Sequence, residues 1–179
     1  MAVTIAVISG VDPIEISANL TFYTGAPGRL EQVNVGQDFV AFVDYAHTPD
    51  AVINVLQSAR AMAKGKVIAV LGCGGDRDKS KRPLMGKALT AADFPIFTSD
   101  NPRSENPGVI LQEMIAGLSH DGEVISDRHE AIKKAVSMAK AGDVVAILGK
   151  GHEVGQEIAG VKHPFDDRQV LAQAIASLK

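Results

Sequence analysis

The sequence predicts an α/β fold, a doubly wound, Rossmann-like and mostly parallel sheet of about six strands with helices on both faces. Short apolar runs alternate along the chain with segments of helical periodicity. One run, residues 67–71 (VIAVL), is apolar at every position, which is typical of a parallel strand buried on both faces. Polar or glycine-rich segments follow these runs, as expected where the carboxyl ends of parallel strands form a ligand site.

Residues 2–20 contain short apolar stretches that are interrupted by Gly10 and by Asp12-Pro13. Aspartate caps helix N-termini and proline is favoured at the first helical position, so a helix is predicted to begin at this pair. Residues 24–28 (TGAPG) would break a helix and are interpreted as a linker. We therefore expect a short helical unit in residues 1–24 and the main domain in residues 25–179.

The main domain shows a regular alternation of elements. Strands are expected at residues 39–43, 67–71, 94–98, 123–125 and 144–148, with a further short strand at residues 157–159. Helices are expected at residues 48–63, 83–92, 107–118, 128–140 and 167–178. Strands separated by single helices are the pattern of a parallel sheet covered on both faces.

Composition and charge argue against several classes of protein. The 179 residues include 18 Lys and Arg against 21 Asp and Glu, and the formal net charge of −3 disfavours a nucleic-acid partner. No apolar run approaches the ~20 residues that a membrane span needs. The single cysteine, Cys73, cannot form a disulfide within the chain, so a cytoplasmic protein is expected. The five histidines lack metal-ligand spacing, so no metal site is predicted.

The segment Asp100-Asn101-Pro102-Arg103 follows the strand predicted at residues 94–98. Asn-Pro favours a turn, and Arg103 beyond it is a planar cation whose natural partner is a carboxylate. A surface turn with a solvated arginine is the alternative. The other strand-end loops are also rich in polar residues or glycine, which favours a ligand site; they are residues 44–47 (DYAH), 72–78 (GCGGDRD) and 149–153 (GKGHE).

Two of these loops are glycine-rich, but neither is a triphosphate-binding loop. The pattern GxxxxGK[ST] is absent from the sequence, so the chain by itself is not expected to hydrolyse ATP. Residues 76–82 (DRDKSKR) belong either to the ligand site or to a solvated loop. Glu153 can receive an ammonium group, whereas His152 is expected to serve loop packing because no nucleophile is paired with it.

Five motifs, taken in order, resemble the carboxy-terminal domain of the Mur ligases. They are residues 27–31 (PGRLE), 44–50 (DYAHTPD), 72–85, 100–105 (DNPRSE) and 149–153 (GKGHE). The resemblance covers nearly the whole chain. It implies that residues 1–24 are the helical end of the family's central ATPase domain with a linker, that residues 25–179 are the carboxy-terminal domain, and that the protein is a monomer.

The resemblance also implies an ATP-dependent amide ligase of peptidoglycan biosynthesis. In that family ATP, with Mg²⁺ bound mainly by the central domain, converts a substrate carboxylate into an acyl phosphate, which the amine of an incoming amino acid attacks. Arg29, Asp44 and His47 fall where the family contacts the nucleotide. The residues that match the pocket for the incoming amino acid are Arg77, Asp100, Asn101, Arg103, Gly149 and Glu153.

The same motifs imply which amino acid is added. Meso-diaminopimelate differs from lysine by a distal carboxylate, and a cationic fork can offset the desolvation of that group. Family members that add lysine lack Arg103, so the resemblance favours addition of meso-diaminopimelate to UDP-N-acetylmuramoyl-L-alanyl-D-glutamate, with Glu153 accepting the distal ammonium and Arg77 a carboxylate. The alternatives are a lysine-adding ligase, a folylpolyglutamate or cyanophycin synthetase, and a module that binds an amino acid or a nucleotide without turnover.

Overall fold

The computed structural model describes residues 2–20, 25–116, 118 and 122–178. Six strands form one sheet: β1 (Glu31–Gln32), β2 (Val40–Asp44), β3 (Val67–Cys73), β4 (Phe94–Ser99), β5 (Glu123–Val124) and β6 (Val144–Leu148). Their order across the sheet is β1-β2-β6-β3-β4-β5, and every neighbouring pair is parallel except β1 with β2. The mostly parallel sheet of about six strands is therefore confirmed.

The described residues of the main domain include five α-helices: α3 (Pro49–Met62), α4 (Arg82–Leu89), α5 (Pro107–Ile115), α6 (Arg128–Met138) and α7 (Asp167–Ala176). Polar side chains fix where four of them begin. The side chains of Thr48, Asn106, Asp127 and Asp166 each accept a hydrogen bond from a backbone N–H in the first turn of α3, α5, α6 and α7, respectively. The predicted helices are confirmed, with ends that differ by at most a few residues.

Strand β3 shows why helices cover both faces of the sheet. Side chains alternate between the two faces of a strand. Val67, Ala69 and Leu71 pack in a core cluster with residues of α3, α4 and α5, whereas Ile68 and Val70 pack in a second cluster with residues of α6 and α7. All five side chains are buried. The run at residues 67–71 is therefore apolar at every position because alternate side chains of β3 pack in two different cores.

The amino-terminal segment forms two short helices, α1 (Ala2–Ile8) and α2 (Pro13–Leu20). The Asp12 carboxylate accepts a 2.8 Å hydrogen bond from the Ile14 N–H, so the helix start predicted at Asp12-Pro13 is confirmed. None of the residues of α2 is buried. Residues 21–24, which include the first residue of the predicted linker, lie outside the described part of the chain, and the division at residue 24 stays a prediction. Among the described helices, none has the length and apolarity that crossing a membrane requires.

A β-hairpin lies outside the main sheet. It consists of β7 (Gly155–Ile158) and β8 (Val161–Pro164), which pair antiparallel. The short strand predicted at residues 157–159 is present as β7, but it begins at Gly155 and ends at Ile158, because Ala159 and Gly160 form the connecting turn with φ angles of 50° and 77°. Two positive φ angles in a two-residue loop match the twist of a hairpin.

Candidate functional site

A cavity of about 460 Å³ lies at the carboxyl edge of the sheet. The loops that follow β2, β3, β4 and β6 all contribute to its lining, so the predicted convergence of these loops is confirmed. The six residues predicted for the incoming amino acid all line this cavity: Arg77, Asp100, Asn101, Arg103, Gly149 and Glu153. What these residues bind stays a prediction at this point.

Glycines allow the strand-end loops to approach one another. The Gly75 N–H donates a 2.8 Å hydrogen bond to the Asn101 carbonyl, and a Cβ at Gly75 would overlap the carbonyl oxygen of Pro102. Gly149 has a φ of 109°, and a Cβ there would lie 2.9 Å from the Asp100 carboxylate. A side chain at either position would force the loops apart. The glycine-rich loops therefore bring together side chains from distant parts of the sequence.

The Asn101 side chain joins three loops through its amide. Its Oδ1 accepts hydrogen bonds from the Lys150 ammonium at 3.1 Å and from the Glu157 N–H at 3.0 Å. Its Nδ2 donates a 2.9 Å hydrogen bond to Oε2 of Glu153. Because two donors face Oδ1 and an acceptor faces Nδ2, only one orientation of the amide satisfies all three contacts. Asn101 is therefore held rigidly beside the cavity.

Arg103 is held by both its backbone and its side chain. Its φ is 52°, and it forms a β-bridge with the hairpin: its N–H donates to the Glu157 carbonyl at 3.0 Å, and its carbonyl accepts from the Ala159 N–H at 2.7 Å. Its Nη1 donates to the Gly75 carbonyl at 2.7 Å, and its Nε lies 3.6 Å from the Glu157 carboxylate. Within the described residues Nη2 has no hydrogen-bond partner. The guanidinium therefore keeps donor capacity for a ligand in the cavity.

Lys150 places a buried positive charge beside Asn101 and Glu153. Its side chain is 0% exposed, and its Nζ lies 3.2 Å from Oε2 of Glu153 and 3.8 Å from Oδ1 of Asp100. Burial raises the pKa of Asp100, against the opposing charges of Arg128 and Lys150. Burial alone would also raise the pKa of Glu153, but the hydrogen bond from Asn101 and the charge of Lys150 outweigh it and lower that pKa. Glu153 is thus held as a carboxylate.

A buried ion pair supports the floor of the site. Arg128, at the start of α6, and Asp167, at the start of α7, both have 0% exposed side chains and are joined by hydrogen bonds of 2.8 and 2.6 Å. Arg128 also donates to the carbonyls of Ser99 at 3.4 Å and Leu148 at 2.9 Å. Ser99 and Leu148 end strands β4 and β6. The pair therefore fixes the two strand ends from which Asp100 and Gly149 emerge.

The charged tract at residues 76–82 is not simply a solvated loop. Arg82 is buried and forms two hydrogen bonds with the Glu105 carboxylate, at 3.0 and 2.8 Å, and one with Glu113 at 2.5 Å. The hydrogen bond from Arg82 lowers the pKa of Glu105 to about 2. Arg77, in contrast, lines the cavity and makes no hydrogen bond or ion pair within the described residues. It is a second cation available to a ligand.

The residues predicted to contact a nucleotide are less closely grouped. Of the three, only His47 lines the cavity. The Arg29 guanidinium lies over the Tyr45 ring, 5.1 Å from its centroid. Asp44 is buried, and its two oxygens accept backbone N–H bonds from Leu30 and Ala46, each at 2.8 Å. Each oxygen keeps a further lone pair, so the nucleotide role stays a prediction, although Asp44 already fixes the loop.

The arrangement suits a zwitterionic ligand with additional carboxylate groups. Two guanidinium groups can bind carboxylates, and the Glu153 carboxylate can bind an ammonium. Within the described part of the chain, no three His, Cys, Asp or Glu side chains are grouped so that they could hold a metal ion. The described cavity therefore has side chains that can bind and orient an amino acid.

Sequence reasoning missed Lys150, Glu157 and the Arg128–Asp167 pair. Lys150 could have been selected from its position inside the motif at residues 149–153, between two glycines that fix the loop. Glu157 and the Arg128–Asp167 pair carry no such signal. Their contacts join residues that are 56 and 39 positions apart, and no spacing rule connects positions so distant.

Comparisons with known proteins agree with this geometry. The family model described as "Mur ligase, glutamate ligase domain" matches residues 28–151. The chain is similar to proteins named UDP-N-acetylmuramoyl-L-alanyl-D-glutamate--2,6-diaminopimelate ligase. It is 51% identical over 177 residues to that of Aquifex aeolicus and 50% identical over 182 residues to that of Streptomyces coelicolor. Both alignments cover 97% of this chain and 36% of the relative.

Solved structures are also similar to this chain. A structure of a ligase with this name has a TM-score of 0.81 at 44% identity, over 99% of this chain and 37% of that one. Escherichia coli FolC in complex with ADP has a TM-score of 0.52 at 21% identity, over 86% of this chain and 31% of that one, which shows a shared fold alone. The chain thus spans just over a third of the length of its curated relatives. Because the matched residues 28–151 make up more than half of the chain, it belongs to the Mur ligase family.

Proposed function

We propose that this chain is the amino-acid-binding, carboxy-terminal part of an ATP-dependent ligase that adds meso-diaminopimelate to UDP-N-acetylmuramoyl-L-alanyl-D-glutamate in peptidoglycan biosynthesis. The observation that carries the proposal is the presence of Arg103, Arg77 and Glu153 around one cavity of about 460 Å³. Two cationic forks and one carboxylate complement an amino acid that has two carboxylates and an ammonium at each end. The names of the similar ligases support the same substrate.

The distal end of the substrate would bind between the loops after β4 and β6. Arg103 would take the distal carboxylate, for which Nη2 is available, and Glu153 would take the distal ammonium through Oε1, because Oε2 already accepts two hydrogen bonds. Arg77 would take the other carboxylate. The remaining amine, which must attack, is then left without a salt bridge to these three residues. This ammonium must lose a proton, to solvent or to a base, before its nitrogen can attack, and holding the resulting amine in a fixed position lowers the entropic part of the barrier.

The chemistry is amide formation through an acyl phosphate. The terminal phosphoryl group of ATP is transferred to a carboxylate of the UDP-linked peptide, and the amine of the amino acid then attacks the acyl carbon and releases phosphate. This chain would bind and orient the amine, with Arg29, Asp44 and His47 on the side of the nucleotide. Within the described residues no three His, Cys, Asp or Glu side chains are grouped around one point, and we derive no step through a Mg²⁺ ion. We propose that the chain alone does not turn over ATP, because it lacks the pattern GxxxxGK[ST].

Selectivity for meso-diaminopimelate over lysine follows from Arg103. A site that contains a partly buried guanidinium loses an ionic partner when lysine binds, and such unmatched groups discriminate strongly between substrates. Other amide ligases of this fold, and a module that binds without turnover, remain the competing functions. We propose in addition that the protein acts in the cytoplasm as a monomer, in keeping with its single cysteine, which cannot form a disulfide within the chain.

Calorimetry of the purified chain with meso-diaminopimelate, lysine, glutamate, arginine and aspartate tests the proposal. Meso-diaminopimelate should bind tightest, and Arg77→Ala should weaken its binding. Arg60→Ala is the matched control, because Arg60 is 47% exposed and pairs with Asp93, away from the cavity. Tightest binding of glutamate, or of aspartate or arginine, would favour the folylpolyglutamate or cyanophycin alternative. Phosphate release from ATP by the chain alone would contradict the expected lack of turnover.

A further inference from the structure

Lys150 is buried at a position where an apolar side chain of similar volume would be expected to give at least equal stability. Its side chain is 0% exposed, and it lies between Gly149 and Gly151, whose φ angles are 109° and 52°. Removing an ammonium from water is costly, and an apolar side chain of the same volume often serves a protein interior equally well or better. The buried charge must therefore be considered for what it does to its neighbours.

The neighbours of Lys150 are two residues of the proposed amino-acid site. Its ammonium contacts Asn101 Oδ1 at 3.1 Å and Glu153 Oε2 at 3.2 Å. If the Asn101 amide were flipped, its NH₂ group would face the ammonium and the Glu157 N–H, and three donors would meet without an acceptor. Lys150 and the Glu157 N–H thus together determine that Nδ2 of Asn101 faces Glu153. Both groups then hold Oε2 of Glu153, and within the described residues Oε1 has no partner.

We propose that Lys150 is a positioning residue for amino-acid binding: its ammonium fixes the Asn101 amide and one oxygen of Glu153, so that the other oxygen is presented, ionised, to the ammonium of the incoming amino acid. Lys150 itself does not touch the ligand. The identity of the ligand rests on the proposed function, whereas the control of Glu153 by Lys150 does not.

The charges around the site predict what removing Lys150 does. The ionisable groups packed around it are Asp100 after β4, Arg128 on α6, Asp167 on α7, Glu153 on its own loop and, towards the cavity, Arg103. Arg128 is already paired with Asp167, whereas the Lys150 ammonium lies 3.8 Å from the Asp100 carboxylate and 3.2 Å from that of Glu153. Without it, two carboxyl groups would share a partly buried site with too little positive charge, and Glu153 would bind a proton at higher pH.

The first test measures the titration of Glu153 directly. In Lys150→Met, the ¹³C resonance of the Glu153 side-chain carboxyl should titrate at least ~1 pH unit higher than in the unchanged chain. Lys134→Met is the matched control, because Lys134 is 43% exposed and pairs with Glu123 at 3.4 Å. An unchanged titration in a Lys150→Met variant with a native amide spectrum would overturn the proposal. A lysine that served only packing would not move this titration.

A second measurement keeps the proposal testable if Lys150→Met does not fold. In the unchanged chain, the ¹⁵N resonance of the Lys150 ammonium should shift with the same midpoint as the Glu153 carboxyl. An ammonium resonance that is insensitive to that titration would overturn the proposal. This experiment needs no substitution and no ligand.

Binding links Lys150 to function. In calorimetry, the affinity of Lys150→Met for meso-diaminopimelate should fall between pH 8 and pH 4.5, with a midpoint that matches the Glu153 titration of that variant and lies at least ~1 pH unit above the midpoint of the unchanged chain. Equal weakening at both pH values would mean that Lys150 is merely structural and would overturn the proposal. If the unchanged chain does not bind meso-diaminopimelate but the Glu153 titration still shifts in Lys150→Met, the proposed ligand is wrong and the control of Glu153 by Lys150 stands.

Discussion

Replacing Arg103 by alanine removes a guanidinium that contacts a backbone carbonyl and a carboxylate of the chain. Nη1 donates to the Gly75 carbonyl at 2.7 Å, and Nε lies 3.6 Å from the Glu157 carboxylate. The backbone bridge between residue 103 and the hairpin does not depend on the side chain, and alanine tolerates the φ of 52° no worse than arginine does. The substitution should therefore empty the carboxylate subsite without unfolding the loop, at a loss of about 1 kcal/mol of stability.

The expected loss of binding follows from the exposure of the side chain. Removing one partner of a fully buried charge pair costs about 2 to 5 kcal/mol. Arg103 is 24% exposed, so solvent screens part of its charge and the lower end of that range applies. A loss of about 2 to 3 kcal/mol corresponds to a roughly 30- to 150-fold weaker binding of meso-diaminopimelate. Lysine has no distal carboxylate, and its binding should change by less than about 3-fold, since only indirect effects remain.

The assay is calorimetry of the unchanged chain and of Arg103→Ala with meso-diaminopimelate and lysine, and the measured quantity is the ratio of the two affinities. Arg103→Lys separates charge from geometry, because lysine keeps the charge and lacks the planar fork. Arg60→Ala controls for the loss of an arginine elsewhere. Equal losses for the two amino acids would refute the reasoning and make Arg103 a structural residue.

Arg128→Met should lower the free energy of unfolding by about 3 to 5 kcal/mol in a urea titration, because it leaves the buried Asp167 carboxylate unpaired; an unchanged urea midpoint would contradict this. Burial raises the pKa of Cys73 to about 12, so a thiol reagent at pH 7.5 should modify it at least about 10-fold more slowly in the folded chain than in urea. Burial of Asp93 is outweighed by hydrogen bonds, first from the Val67 N–H, and its pKa falls to about 2. These hydrogen bonds to the ionised Asp93 stabilise the folded chain fully above the pKa that Asp93 has in the unfolded chain, and this contribution is lost as the pH falls to 2. The loss of thermal stability caused by Asp93→Asn should therefore be large at pH 7 and small at pH 2. A pH-independent difference would argue against it.

The main sheet could be predicted because its signal is local. Each buried strand is a run of apolar residues, and four of the five described helices of the main domain begin at a side chain that caps them, such as Thr48 or Asp127. The hairpin β7–β8 carries no comparable signal. The sequence of β8 is Val-Lys-His-Pro, all four residues are exposed, and the strand is held by backbone pairing. A periodicity of apolar residues cannot predict a strand that has no buried face.

That the motif residues line one cavity could be predicted, because they follow strand ends, where this type of fold gathers its loops. What holds these residues in place was not predictable, because it depends on long-range contacts to groups that a sequence reading assigns to the surface. Lysine and arginine are rarely buried, yet Lys150, Arg82 and Arg128 are among the largest fully buried side chains of the described chain. Their burial becomes visible only once the carboxylates that pair with them are located.

The contacts behind Arg103 and Glu153, among them that of the buried Lys150, explain why the cavity can present opposite charges that do not pair with each other. Arg103 and Glu153 have opposite charges at one cavity, and two flexible side chains would pair directly in the absence of ligand. Instead, Arg103 is held by the Gly75 carbonyl and by Glu157, whereas Glu153 is held by Asn101 and Lys150. Each binding group is thus engaged from behind by a different loop, and its remaining donor or acceptor is preorganised for the ligand. A zwitterion then binds without first breaking an ion pair, which lowers the cost of binding.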